Sequence, residues 1–74
     1  MTYTVQLDNI EDIKKLNEIA SEQPFNIDVS QGSVTVNAKS LLALFTLIGK
    51  KVNLVAPDHT NPKDFIKALE EMGF

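Results

Sequence analysis

The sequence predicts an α+β domain in which helices pack on one face of a single antiparallel or mixed sheet. Two periodicities predict it: apolar residues alternate with polar ones in four short segments and recur at three- and four-residue steps in three others. These segments follow one another in the order β-α-β-β-α-β-α, and the first six form the split βαβ pattern. The chain has 74 residues. Because no linker or repeat interrupts it, we expect residues 1–74 to form one domain.

The first strand and the first helix are each marked by their periodicity. Residues 3–7 alternate Tyr, Val and Leu with Thr and Gln, which is typical of a half-buried strand. Asp8 and Asn9 are candidate caps for the helix that follows, and acidic residues in its first turn suit the helix dipole. Pro24 ends this helix. The residues of its predicted apolar stripe are Ile10, Ile13, Leu16, Ile19 and Ala20.

Two further strands form a predicted hairpin, and a fourth strand precedes the last helix. Residues 25–30 and 34–36 alternate apolar and polar side chains on either side of a turn. Residues 51–56 form the fourth strand. Asn61 as the cap and Pro62 as the first helical residue begin the last helix. The residues expected to face inward from this helix are Phe65, Ile66, Ala68, Leu69 and Met72.

The middle helix, predicted over residues 41–48 with Ser40 as its N-cap, is more apolar than one sheet face requires. Six of its eight residues are large and apolar, so the apolar arc is about twice as wide as the stripe of an ordinary surface helix. Two interpretations follow. Either neighbouring helices bury the excess, or Leu41, Leu42 and Phe45 form an exposed patch that binds a partner or a second copy of the chain.

The composition excludes several classes of chemistry. Ten acidic and seven basic residues give a net charge of −3, which argues against nucleic acid as a partner. The chain has no Cys, no Arg and one His, His59, so we predict no disulfide, no metal site, no cofactor and no cysteine nucleophile. It has no apolar stretch of about 20 residues that could cross a membrane. Without a visible signal peptide, a cytoplasmic protein is the expectation.

Residues 36–47 resemble the HPr family of the bacterial phosphotransferase system. In that family a V-N-A/L-K-S run precedes a hydrophobic helix, a Gly-containing turn and a strand. Element order, length and a Glu-rich last helix extend the resemblance over nearly the whole chain. It implies an open-faced sandwich, a four-stranded antiparallel sheet with three helices on one face. It also implies that Ser40 stands at the family's regulatory serine, a target of a serine kinase, and that Leu41, Leu42 and Phe45 lie on the surface that binds partner proteins.

The region between the first strand and the first helix departs from the family's pattern. Phosphocarrier members carry G-x-H-A-R-P there, and its His accepts the phosphoryl group. In this sequence residues 9–14 stand in that region, with Glu11 at the position of the His and Ile13 at that of the Arg. Two carboxylates at the helix start repel a phosphate, and no Arg clamps it. We therefore predict a variant that lacks the phosphoryl-accepting His and has no catalytic residue.

Three functional hypotheses follow from the sequence. The first is a non-catalytic, HPr-like regulatory protein that binds partner proteins through Leu41, Leu42 and Phe45, with phosphorylation of Ser40 as a candidate switch. In the competing interpretation of Ser40, its hydroxyl only caps the middle helix. The second hypothesis is a phosphocarrier with an unconventional acceptor, such as Glu11 or His59. The third is an HPr-like orphan whose patch seals a homodimer.

Overall fold

The computed structural model describes residues 1–74 and contains the seven predicted elements in the predicted order. The strands are Thr2–Leu7 (β1), Asp28–Gln31 (β2), Val34–Asn37 (β3) and Lys50–Val55 (β4), and the helices are Ile10–Ser21 (α1), Leu41–Phe45 (α2) and Lys63–Glu71 (α3). The strands form one sheet in the order β1-β4-β2-β3, and each neighbouring pair is antiparallel. The predicted open-faced α+β sandwich is confirmed.

The register of the strands gives the sheet one apolar and one polar face. Val29 of β2 lies opposite Leu54 of β4 and Val36 of β3, and all three side chains point toward the helices. On the other face Thr4 lies opposite Asn53, and the Thr4 hydroxyl donates to Asn53 Oδ1 at 2.7 Å. Because successive side chains of a strand point to opposite faces, this alternation places the core between the sheet and the helices.

The helices supply the other side of the core. Their fully or almost fully buried residues are Ile13, Leu16, Ile19 and Ala20 in α1, Leu44 in α2, and Phe65 and Leu69 in α3. No polar or charged residue is buried. Every titratable side chain is therefore at least partly exposed, so a functional site has to be sought at the surface. None of the three helices is long and apolar enough to cross a bilayer.

The middle helix is shorter than predicted, because α2 ends at Phe45 instead of residue 48. Bonds between residues three apart replace the helical pattern, with the Thr46 amide donating to Ala43 O at 3.2 Å. The Thr46 hydroxyl also donates to this carbonyl, at 2.6 Å. Ile48 was included in the predicted helix but follows this tighter turn, and it is 41% exposed. Gly49, at φ +82°, then reverses the chain into β4.

The last helix also differs from the prediction at both ends. It begins at Lys63, so Pro62 is the N-cap residue instead of the first helical one, and Asn61 Oδ1 accepts from the Lys63 amide at 3.2 Å. Met72 was expected to face inward but is 38% exposed, because α3 ends at Glu71 and Met72 lies at the C-cap. The predicted inward residues Ile66 and Ala68 are only partly buried.

Candidate functional site

The segment that leads into α2, residues 37–39, is held in place by hydrogen bonds of the Asn37 side chain and of the Asn17 side chain in α1. Asn37 Oδ1 accepts from the Lys39 amide at 2.8 Å, which forms a local turn. The Ala38 amide donates to Ile27 O at 2.9 Å, and Asn17 Nδ2 donates to Ala38 O at 3.1 Å. Ala38 is fully buried, so a larger side chain would not fit without rearrangement. These contacts determine where α2 leaves the sheet.

Ser40 occupies the N-cap position of α2, but its hydroxyl forms no cap hydrogen bond. The cap interpretation of this hydroxyl is therefore wrong. A comparison with Asn9, the N-cap of α1, indicates the reason. Asn9 has ψ 176° and its side chain accepts from the Asp12 amide, whereas Ser40 has ψ 100° and makes no such contact. Ser40 is exposed and directly precedes Leu41.

The outer side of α2 and of its C-terminal turn carries an apolar surface. We call it the α2 patch and define it as Leu41, Leu42, Phe45 and Ile48. Leu42 is 81% exposed and Leu41 is 37% exposed, whereas Phe45 is only partly exposed and packs against the core. The neighbouring helices thus bury Leu44 but leave the outer part of the apolar arc open to solvent.

Ile10 is a further exposed apolar residue, at the start of α1. The sequence pattern placed it in the buried stripe of α1, yet it is 49% exposed, because it is the first residue of α1 and lies beyond the packed turns. The Gly49 amide donates to Leu7 O, so the turn after Ile48 lies against the connection that precedes Ile10. The candidate caps Asp8 and Asn9 already indicate that Ile10 is the first helical residue. The assignment of Ile10 to the buried stripe did not take this position into account.

The N-terminus of α1 is occupied by side chains of the chain itself. Only Asp8 and Asn9 connect β1 to α1. Asn9 Oδ1 accepts from the Asp12 amide at 3.0 Å, and Asp12 Oδ2 accepts from the Asp8 amide at 3.0 Å. Asn9 thus caps the helix, while the Asp12 carboxylate binds the amide of the residue before the N-cap. Glu11 is exposed in the first turn, whereas Ile13 is fully buried in the core.

His59 lies in the exposed connection between β4 and α3. In the β1–β4 register Leu7 pairs with Lys50 and Thr2 pairs with Val55. The connection after β4 is therefore at the opposite end of the sheet from the start of α1.

Neither a metal site nor an enclosed pocket is present. No group of three or more His, Asp and Glu residues lies close enough together to hold a metal ion. The one surface depression runs along α3, and no second element closes it around a ligand. It is lined by Lys63, Asp64, Ile66, Lys67 and Glu70.

No protein-family model matches the sequence, and no curated protein matches it. Solved structures match its fold. HPr-C-His from Thermoanaerobacter tengcongensis has a TM-score of 0.75 and 25% identity over 97% of this chain and 89% of that one. The histidine-containing phosphocarrier protein of a Mycoplasma has a TM-score of 0.73 and 16% identity over 96% and 89%. HPr from Bacillus anthracis has a TM-score of 0.66 and 20% identity over 97% and 90%.

This chain has the HPr-like fold. The resemblance seen in residues 36–47 is thereby confirmed at the level of the fold. In this HPr-like domain the β1–α1 connection has only two residues, so a six-residue motif such as G-x-H-A-R-P could not lie within it. The assignment of Glu11 and Ile13 to the positions of the family's His and Arg stays a prediction, as do the roles of Ser40 and the α2 patch.

Proposed function

We propose that this HPr-like protein acts by binding another protein through the α2 patch, as a non-enzymatic regulator related to the phosphotransferase system in the bacterial cytoplasm. The observation that carries the proposal is the 81% exposure of Leu42. Complete burial of a leucine side chain is worth about 1.5–3 kcal/mol, and a residue exposed to this extent retains most of that free energy for a complex. Leu41 and Ile48 are also exposed in the same short segment, so the surface does not consist of a single side chain.

The start of α1 supports binding over phosphoryl transfer. Asp12 already accepts the Asp8 amide there, so carboxylates occupy the end of the helix at which a phosphate would be stabilised. The chain has no Arg to clamp a phosphoryl group. Ile13, at the position predicted to match the family's Arg, is fully buried.

Ser40 is proposed as the regulatory site of this binding surface. Its side chain is exposed and makes no cap bond, so a kinase can reach the hydroxyl without breaking a contact that the fold uses. A phosphate would add a charge of about −1.5 to −2 immediately before Leu41. The fold would stay intact while the edge of the α2 patch changed its charge.

A phosphorylation assay separates a binding protein from a carrier. The full chain is incubated with phosphoenolpyruvate and enzyme I, beside a histidine-containing HPr as the positive control, and intact mass is measured. We expect no phosphate on this chain while the control is modified. Phosphate on Glu11 or His59 would contradict the proposal and favour an unconventional carrier.

Binding is tested with the Leu42→Asp variant and a matched control. NMR titration with purified proteins of the phosphotransferase system should shift amides of residues 40–49 in the unmodified chain and not in Leu42→Asp. Val34→Asp is the control, because Val34 is a 45% exposed apolar residue on β3, outside the patch. Equal binding by all three proteins would exclude the α2 patch as the binding surface.

The Ser40 switch has its own readout. Treatment with a phosphotransferase-system serine kinase should add one phosphate, located at Ser40 by peptide mass spectrometry, and should change the affinity measured in the titration. Ser40→Ala should accept no phosphate and should keep the affinity of the unmodified protein. Phosphate elsewhere, or at Ser40 without a change in affinity, would contradict a switch.

A further inference from the structure

The sheet has two edge strands, β1 and β3, and the outer side of each faces no further strand. Proteins usually protect such edges with charged side chains, proline or a bulge, because a free edge can pair with another chain. These features are absent around β3. Residues 29–38 contain no charged residue and no proline, and β3 pairs with β2 over four consecutive residues without a bulge. Only the shortness of β3 limits its pairing with another strand.

The hydrogen-bond pattern of the β2–β3 hairpin identifies the backbone groups that are free at this edge. The Ala38 amide donates to Ile27 O at 2.9 Å, in continuation of the β2–β3 register. Hydrogen-bonded and non-bonded pairs alternate along an antiparallel ladder. Val34 and Val36 therefore form their backbone bonds with β2, whereas the amide and the carbonyl of Thr35 point outward, away from the sheet.

The side chains of β3 leave apolar surface open beside these free backbone groups. Val36 packs against the core, and Val34 lies two positions before it and so on the same side of the sheet. Val34 is nevertheless 45% exposed, because no element lies beyond β3 to cover it. Thr35 is exposed on the opposite, polar face. A strand added along β3 would cover Val34 and bond to Thr35.

The other edge offers less to an added strand, although residues 2–7 of β1 are also uncharged. On the helix side of β1, Val5 and Leu7 are almost completely buried within the monomer. Tyr3 is partly buried, and its hydroxyl donates to Phe74 O at 3.3 Å. A strand beside β1 would gain backbone hydrogen bonds but little apolar contact, so β3 is the better edge for pairing.

We propose that β3 pairs with β3 of a second copy of this chain, antiparallel, about a twofold axis between the two Thr35 residues. Thr35 of each copy then donates to and accepts from Thr35 of the other. On either side Val34 of one copy lies opposite Val36 of the other, in a non-bonded pair, where side chains approach most closely. The two sheets join into one of eight strands.

The self-complementary register makes a second copy the occupant of this edge. The same shift along the strand satisfies the free groups of Thr35 and places valine against valine, without a charged residue in the paired segment. Because each copy contributes only four residues, the contact is smaller than the about 1,200–2,000 Å² of a standard interface, and the dimer should dissociate on dilution. The surface is separate from the α2 patch, so the inference goes beyond the proposed binding function.

Amide hydrogen exchange of the unmodified chain, followed by NMR over a concentration series, tests this pairing. The Thr35 amide should be unprotected in dilute solution and protected about tenfold when nine-tenths of the chains are paired. The Thr4 amide is the internal control. The Ala56 amide donates to Met1 O at 3.1 Å, so by the same alternation Thr4 directs its amide outward from β1. It should stay unprotected, while sedimentation shows a mass that rises toward that of two chains.

Charged variants test the register. Thr35→Lys places two ammonium groups opposite each other across the axis and should abolish the dimer, as should Thr35→Glu. Because Thr35 is exposed, both monomers should stay folded by circular dichroism. An equimolar mixture of the two variants should form a heterodimer, since opposite charges then face each other. Thr4→Lys adds the same charge to the polar face of β1 and should leave the dimer intact.

The other outcomes would overturn the inference. A Thr35 amide that stays unprotected at every concentration would do so without recourse to any variant. A dimer that Leu42→Asp dissociates and Thr35→Lys leaves intact would place the contact at the α2 patch, and one that Thr4→Lys dissociates would place it at β1. Failure of the mixed variants to pair would contradict the register. Val34→Asp should dissociate the dimer yet keep the partner binding of the α2 patch, which separates this inference from the proposed function.

Discussion

Leu42 and Leu44 are two positions apart on the same five-residue helix, yet one is 81% exposed and the other is fully buried. Their difference shows which way α2 faces. Leu44 packs with the core, and Leu42 points away from it and gains nothing from folding. An apolar side chain that stays exposed can stabilise a complex but does not stabilise the monomer. Substitution of Leu42 should therefore affect binding, whereas substitution of Leu44 should affect folding.

Leu42→Asp should leave folding nearly unchanged. Because the side chain is exposed, we expect the free energy of unfolding to change by less than about 0.5 kcal/mol. Urea unfolding followed by circular dichroism measures this value. A loss of several kcal/mol, and a dependence of stability on protein concentration in the unmodified chain, would show that Leu42 is buried against another molecule in solution.

Asn9→Ala and Ser40→Ala compare two N-cap residues of which only one forms a cap bond. Asn9 Oδ1 accepts the Asp12 amide, so its removal should cost about 1 kcal/mol of unfolding free energy. Ser40 makes no equivalent bond, so Ser40→Ala should cost a few tenths of that. Denaturant unfolding of both variants under one set of conditions makes the comparison. Equal costs would mean that the Ser40 hydroxyl caps α2 in solution.

At the scale of elements, α2 and the turn that follows it are determined by residues outside the helix. Five residues cannot form a stable isolated helix, so the direction of α2 comes from the hydrogen bonds of Asn17 and Asn37 before it and of Gly49 after it. Thr46 shifts the pattern to bonds between residues three apart and exposes Ile48. The patch is therefore positioned by its flanking segments.

Gly49→Ala should destabilise the protein through the backbone alone. Gly49 has φ +82°, and an added Cβ would meet no atom within 4 Å. The cost is therefore conformational and should be about 1–2 kcal/mol. Gly49→Asn should cost less, because Asn tolerates this region better than Ala. Thermal and urea unfolding compare the variants, and an Ala variant as stable as the unmodified chain would contradict a strained turn.

At the scale of the whole molecule, one apolar layer between the sheet and three helices contains all but one of the buried residues. The core is entirely apolar, and its largest members come from every helix and from β1, β2 and β4. A domain of this size has a stability of only a few kcal/mol. Its charges are separated as well, because the segment with α2 and β4 is basic while the remaining residues carry the acidic side chains.

Leu44→Ala should unfold a large fraction of the protein. Removal of this fully buried side chain leaves a cavity that costs about 2–5 kcal/mol, which is comparable to the total stability expected here. Leu41→Ala on the same helix should cost much less, because Leu41 is 37% exposed. Circular dichroism and the dispersion of NMR signals report the folded fraction. Equal effects at the two positions would contradict the orientation of α2.

The apolar patterns of the sequence were sufficient for the order of elements, the α+β class and most of the core. Strand alternation placed Val5 and Leu7 inward correctly, because a strand with one buried face leaves no other register. The same reasoning failed at Ile10 and Met72. Each lies at the end of a helix, where the apolar spacing continues in the sequence but the helix no longer packs against the core.

Local periodicity and composition are enough for the fold class, for Asp8 and Asn9 as the candidate N-caps of α1, and for the exclusion of chemistry that needs Arg or Cys. Only the tertiary structure decided which side of α2 is exposed, since a helix that is apolar almost all round has no face of its own to bury. Packing also brings Asn17 of α1 against the segment that leads into α2, and it puts His59 at the opposite end of the sheet from the start of α1. The residues concerned are distant from one another in the chain. Only the packing of α1, α2 and the strands determines how close together they lie.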